Sequence, residues 1–174
     1  MRRPLAISGA FLWGALIWWA SSLTPSKIPV KLDWLQAFGP TVWNFAHFWV
    51  FGILGVLLGC AIDPSGRTVG IKSRAGQAAL VCVMVYAVLD ESHQWTVPQR
   101  TCSLADVVLD TMGALFMLTW SGFPFGVQSD RPARNVWSAT ALLLGLVLSY
   151  LGATMDIPGD GFLSTFLDAT FRKN

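Results

Sequence analysis

An uninterrupted apolar segment near the start of the chain limits the possible folds more than any other feature. No charged residue lies between Pro4 and Ser26, and residues 5–23 are about as long as a helix that crosses a bilayer. Hydrophobic residues make up 53% of the 174-residue chain and charged residues only 13%, about half the share usual in soluble domains. The sequence therefore predicts a membrane protein and excludes a water-soluble globule.

Further apolar segments predict an all-α fold, a polytopic transmembrane helix bundle of about five spans in one domain, 1–174. The later spans are residues 41–62, 75–94, 104–122 and 136–153. Only 15 uncharged residues separate Arg74 from Asp90, too few to cross about 30 Å of hydrocarbon, so the third span must continue into the polar residues that follow. After the last span, an apolar stripe predicts a short interfacial helix with Phe162, Leu163, Phe166 and Leu167.

The distribution of Lys and Arg among the loops predicts the orientation. Seven of these residues belong to one side, namely Arg2, Arg3, Arg67, Lys72, Arg74, Arg131 and Arg134. The other side has three to five, namely Lys27, Lys31 and Arg100, with Arg172 and Lys173 far from a span. Because cytoplasmic loops carry the excess, we expect a cytoplasmic N-terminus. The alternative for the first segment is a secretory signal, which its length and the lack of an A-x-A site disfavour.

Polar side chains are concentrated where the third and fourth spans are joined. Asp90, His93 and Gln94 share one side of a helix, and Glu91 lies about 100° away from them. In the fourth span, Asp106 and Asp110 are four residues apart and therefore share a face. The short link 95–103 makes the two spans an antiparallel pair, so these acidic faces are neighbours and Arg100 lies between them. With the predicted orientation, this cluster is at the outer face of the membrane.

Each of these residues also has a structural explanation. Ser103 and Asp106 match a helix capping box, and this alone could account for Asp106. Asp110 lies roughly 9 Å along the helix from Leu104, and a carboxylate at membrane depth costs up to about 3 kcal/mol, which favours a functional role. His47 is either a hydrogen-bonded bundle residue or a functional acid or base. His93 and Arg100 are either functional or headgroup contacts.

No established catalytic or cofactor motif accompanies the cluster. The chain has two histidines and enough carboxylates for a metal site, but it lacks H-E-x-x-H and paired C-x-x-C spacings, so we expect no metal. P-loop, dinucleotide and G-x-S-x-G patterns are also missing from the sequence, which predicts no cofactor and singles out no catalytic residue. A net charge of +2 without a basic run argues against nucleic acid as a partner.

The order of the polar residues resembles the VanZ-like family of small bacterial membrane proteins, with a core at residues 41–122. The resemblance rests on D-E-x-x-Q at residues 90–94, P-x-R-x-x-S at residues 98–103, the following Asp106 and Gly113, and the upstream His47. Two positions depart from the family pattern. The family often has Asp-Lys where this chain has Trp43-Asn44, and Asn where this chain has Asp110.

The resemblance implies a multi-pass protein of the bacterial cytoplasmic membrane. The founding member of the family is associated with low-level resistance to teicoplanin, a glycopeptide antibiotic that acts outside the membrane on cell-wall precursors. We therefore expect membrane lipid as a partner, together with a polyprenyl-linked precursor or a glycopeptide.

Three hypotheses follow for the functional cluster, which comprises His47, Asp90, Glu91, His93, Gln94, Arg100, Ser103, Asp106 and Asp110. In the first, an envelope ligand binds in an outer-face pocket and Arg100 holds its anion. In the second, the chain is a membrane-embedded hydrolase or transferase, with Glu91 or Asp90 as base and His47 or His93 as acid or metal ligand. In the third, the polar groups only hold helices together in a structural assembly partner.

Overall fold

Helices account for nearly all of the chain that the computed structural model describes. The described residues are 3–24, 40–63, 65, 70–98, 100, 102–121, 139–140, 142–143 and 145–147. They form four helices: α1 (Arg3–Ser21), α2 (Pro40–Ile62), α3 (Arg74–Gln94) and α4 (Leu104–Ser121). The described residues from 139 onward are also helical. The prediction of an all-α fold is confirmed, and within these ranges no strand occurs.

The first four predicted spans correspond to the four helices, with bounds that differ by at most two residues. Three described segments are long and apolar enough to cross a membrane: Arg3–Ser21, Phe45–Ile62 and Arg74–Gln94. The predicted fifth span is described only in part, and the predicted interfacial helix lies outside the described residues. The number of spans and the single-domain organisation therefore stay predictions.

Hydrogen bonds between helices define how they run relative to one another. Arg3 at the start of α1 donates to the carbonyl of Ala61 at the end of α2, at 3.2 Å, so these helices are antiparallel. Tyr86 of α3 donates to the carbonyl of Gly14 of α1, at 2.7 Å. Together with the α3–α4 hairpin, these contacts bring the C-terminal ends of α1 and α3 to the N-terminal ends of α2 and α4. We call this the polar end of the bundle.

Glycine allows α2 and α4 to approach closely next to the polar end. A Cβ atom added to Gly113 of α4 would lie 1.8 Å from the carbonyl oxygen of Phe48 of α2, which is a severe clash with backbone. At Gly52 of α2, an added Cβ would lie 2.9 Å from the carbonyl oxygen of Gly113. Small residues at such contacts are typical of helix packing in membranes. They fix the positions of α2 and α4 along each other.

Apolar side chains fill the interior and also cover much of the outer surface. Residues from all four helices form one buried cluster: Ile17, Phe51, Leu54, Val83, Ala87 and Ala114. The outward faces of α1 and α3 are apolar too, with exposed residues that include Leu5, Phe11, Leu12, Trp19, Val81, Val85 and Leu89. Large exposed apolar patches of this kind mark surfaces that contact lipid or another protein.

The close contact at Gly113 leads to a stability prediction. We expect Gly113→Ala to lower the free energy of unfolding by about 1–3 kcal/mol, because the new methyl group forces α2 and α4 apart. The matched control is Gly14→Ala, whose added Cβ would lie 3.9 Å from the Tyr86 hydroxyl, an ordinary contact. Denaturant titration of the purified protein in detergent measures both variants. Equal stability of the two would contradict the packing described here.

Candidate functional site

All nine residues of the predicted cluster lie at the polar end. α2 contributes His47, and α3 contributes Asp90, Glu91, His93 and Gln94. The link and α4 contribute Arg100, Ser103, Asp106 and Asp110. Ser21 and Ser22, at the end of α1, contact members of this cluster although they were not predicted to belong to it. The polar end thus combines side chains from all four helices.

Asp90 is the centre of a buried hydrogen-bond network between α1 and α3. Its Oδ2 accepts hydrogen bonds at 2.9 Å from the Ser21 hydroxyl and at 2.9 Å from the Gln94 side-chain amide. The same Gln94 amide nitrogen donates to Glu91 at 3.2 Å. Asp90 and Glu91 are both fully buried. The network offsets part of the cost of burying these carboxyl groups, because each accepts donors from the chain itself.

Arg100 holds the C-terminal end of α1. Its Nε and Nη2 donate to the carbonyl of Leu23 at 3.2 Å, and Nη2 also donates to the carbonyl of Ala20 at 3.2 Å. Its Nη1 donates to the Gln94 side-chain oxygen at 3.4 Å. The last carbonyls of a helix lack partners within the helix and carry partial negative charge, so a cation suits this position. Arg100 therefore uses its N–H donors on α1 and on Gln94.

Glu91 of α3 supports the start of α4. Its Oε2 accepts a hydrogen bond at 2.8 Å from the backbone N–H of Ser103, the residue before α4. The Ser103 hydroxyl in turn accepts from the backbone N–H of Asp106 at 3.4 Å, which is one half of the capping box expected from the sequence. A carboxylate is favourable here because a helix N-terminus carries partial positive charge. Glu91 thus links the end of α3 to the beginning of α4.

His93 packs on α1. Its ring stacks on Trp18 with the ring centroids 4.1 Å apart, and its Nε2 lies 2.9 Å from the Ser22 hydroxyl. Together with the Ser21–Asp90 bond and the Arg100 contacts, this makes a third attachment between α1 and the α3–α4 hairpin. The position of His93 fits a residue that docks one helix on another.

His47 and Asp110 form an ion pair between α2 and α4 whose atoms are not satisfied by hydrogen bonds. The His47 Nδ1 lies 3.3 Å from the Asp110 Oδ1, and the His47 side chain is 25% exposed whereas Asp110 is fully buried. Neither oxygen of Asp110 has a hydrogen-bond partner in the described structure. Charge interactions connect His47 with Glu91 and Asp106 as well. A buried carboxylate without donors is costly, so this pair differs from the Asp90 network.

Cys102, in the link before α4, was not predicted as part of the cluster. Its side chain is 1% exposed. Burial, followed by the charges of Glu91 and Asp106, raises the pKa of this thiol to about 12. The thiol is therefore protonated at neutral pH and unreactive while the link is docked, because the thiolate is the reactive form. No group of three or more His, Cys, Asp or Glu residues in the described ranges is placed to hold a metal ion.

The fold and the cluster define an all-helical protein with candidate membrane-spanning helices and buried carboxyl groups at one end. The family model described as VanZ/LLP1 matches residues 8–123, about two thirds of the chain, and this range includes every residue of the cluster. The chain therefore belongs to the VanZ/LLP1 family. No curated protein matches it, and no solved structure matches it.

The contacts of Arg100 predict that it stabilises the fold. We expect Arg100→Gln to lower the free energy of unfolding by about 1.5–3 kcal/mol, the range for charged hydrogen bonds, because the α1 carbonyls and Gln94 lose their donor. Arg74→Gln is the matched control, because Arg74 is exposed and begins α3 at the opposite end of the bundle. It should change stability by less than about 0.5 kcal/mol.

Labelling of Cys102 by a maleimide, followed by mass spectrometry of its peptide, gives a second readout for the same variants. Cys102 should react slowly in the wild type and in Arg74→Gln, and faster in Arg100→Gln because the link loosens. Unchanged stability and unchanged labelling in Arg100→Gln would show that these contacts do not hold α1.

Proposed function

We propose that this member of the VanZ/LLP1 family binds a molecule of the cell envelope at the polar end, with Asp110 as the main contact. The observation that carries the proposal is the fully buried Asp110 carboxylate, which faces the His47 Nδ1 at 3.3 Å but makes no hydrogen bond in the part of the chain that the structure describes. Buried polar groups without partners are rare and often mark a functional role.

The contacts divide the cluster into two parts. One part holds the bundle together, since Asp90, Gln94 and Arg100 use their polar atoms mainly on each other and on α1. The other part is the His47–Asp110 pair, where a ligand would supply the hydrogen-bond donors that the described part of the chain does not. The proposed contact with the ligand is therefore at this pair, whereas the anion-binding role expected of Arg100 stays a prediction.

The proposed setting is the bacterial cytoplasmic membrane, crossed several times with the N-terminus in the cytoplasm. The polar end, which contains the last residues of α1 and the first turns of α2, then faces outward. Ligands available there include a lipid-linked cell-wall precursor and a glycopeptide antibiotic, and occupation of the site by either would connect the protein to low-level teicoplanin resistance. Membrane lipid around the apolar outer faces of α1 and α3 is part of the same proposal.

A second candidate function is hydrolysis or group transfer, and the geometry of the His47–Asp110 pair favours it. A carboxylate next to one imidazole nitrogen orients the ring and leaves the other nitrogen to exchange protons. In this candidate, His47 in its neutral form accepts at Nε2 the proton of an attacking water or hydroxyl group and returns it to the leaving group. Asp90 and Glu91 fit the role of base less well, because they accept hydrogen bonds from the chain.

Native mass spectrometry of the full chain tests the proposal. The wild type, Asp110→Val and Arg74→Gln are offered a polyprenyl-phosphate-linked precursor and teicoplanin in turn. We expect the wild type and Arg74→Gln to retain one of them and Asp110→Val to lose at least tenfold in retention. Asp110→Val removes a carboxylate that makes no hydrogen bond in the described structure, so we expect a stability close to that of the wild type, and a melting curve of each variant checks this.

The outcomes separate the three hypotheses. Retention by Asp110→Val at the wild-type level, or by none of the proteins, would overturn the binding proposal and favour a structural role. Conversion of a retained ligand to a product of different mass, abolished by His47→Gln without loss of binding, would establish the enzymatic candidate instead.

A further inference from the structure

Three of the five buried side-chain atoms that lack a hydrogen-bond partner in the described structure are carboxylate oxygens, namely the Asp90 Oδ1 and both oxygens of Asp110. The other two are the Thr24 hydroxyl and the His47 Nδ1. Asp90 and Asp110 are fully buried, so water at the surface does not satisfy these oxygens. Carboxylate oxygens accept hydrogen bonds and do not donate them when ionised. A ligand that completes this site must therefore bring donors.

Apart from His47, the groups whose charges act on Asp110 are carboxylates. Asp110 interacts electrostatically with Asp106 and Asp90, and Glu91 interacts with both Asp106 and Asp110. Arg100 directs three of its nitrogens to carbonyl and amide oxygens of the chain and not to Asp110. Phosphate or another anion at Asp110 would meet like charges, whereas a cation would meet opposite ones. The site thus favours a ligand that carries both donors and positive charge.

We infer that the site around Asp110 binds a primary ammonium group carried by an envelope molecule. This inference rests on the proposed function and specifies the chemistry of its ligand. An alkylammonium group has three N–H donors and no acceptor, which matches the open oxygens of Asp110. His47 is the partly exposed member of the pair, so the ligand displaces the His47 ring from Asp110 and takes its place as the counter-charge. A hydrogen bond between an ammonium group and a carboxylate is about twice as strong as one between neutral groups.

Two envelope sources carry this group: the ethanolamine headgroup of a phospholipid and an amine on the peptide part of a cell-wall precursor. Both present the same ammonium chemistry at the outer membrane surface. N-acetylation removes the positive charge and two of the three donors while leaving the rest of either molecule in place. Acetylated and free forms of each molecule therefore make a matched pair of probes.

The test measures retention of these probes by the full chain in lipid nanodiscs, analysed by native mass spectrometry. One arm compares an ethanolamine phospholipid with its N-acetyl form, and the other compares a lysine-containing precursor peptide with its acetyl-lysine form. We expect the wild type and Arg74→Gln to prefer the free amine at least tenfold in one arm, which identifies the source. Asp110→Asn should lose this preference, because it keeps an acceptor but removes the charge.

Equal retention of the free and acetylated forms by the wild type would overturn the inference, as would an amine preference that persists in Asp110→Asn. Retention of the polyprenyl-linked precursor or teicoplanin that requires Asp110 but not an amine would overturn the inference and leave the proposed function intact. If neither the wild type nor any variant retained a ligand, both the inference and the proposed function would be overturned.

Discussion

The buried carboxylate of Asp90 is the interaction on which the arrangement of the helices depends. It lies in the last turn of α3 and receives hydrogen bonds from Ser21 of α1 and from Gln94. Gln94 extends the network to Arg100 and Glu91, and Glu91 reaches the start of α4. An unpaired carboxylate in this position would cost several kcal/mol, so the helices that supply its donors are held at the polar end.

With α1 and α4 fixed in this way, the position of Asp110 follows from packing. The contact of Gly113 with the Phe48 backbone sets how far α4 is shifted along α2, and the same register brings Asp110 to His47. The network supplies donors to the Asp90 Oδ2 and to Glu91, whereas the Asp90 Oδ1 and both oxygens of Asp110 have no hydrogen-bond partner in the described structure. Asp110 is thus the carboxylate of the cluster that the network does not support.

The sequence predicted the helices well because long apolar runs and the short link leave few alternatives. It also placed Asp90, Gln94, Arg100 and Asp106 together, since a nine-residue link forces the ends of α3 and α4 to be neighbours. It did not predict the role of α1. Ser21 and Ser22 were not among the predicted site residues, and the partners of Arg100 are backbone carbonyls, which every residue has and which no sequence pattern marks. The pairing of His47 with Asp110 depends on how far α4 is shifted along α2. This shift results from packing along the whole contact and is not indicated by any one residue.

A comparison of two isosteric substitutions tests the central claim that Asp90 stabilises the fold and Asp110 does not. Asp90→Asn and Asp110→Asn make the same chemical change in fully buried side chains, and their melting temperatures are measured in one detergent at one pH. We expect Asp90→Asn to lower the melting temperature by several degrees, because the hydrogen bonds from Ser21 and Gln94 then go to an uncharged acceptor. Asp110→Asn should leave it unchanged or raise it. Equal losses in both variants would show that Asp110 is a structural residue and contradict the account.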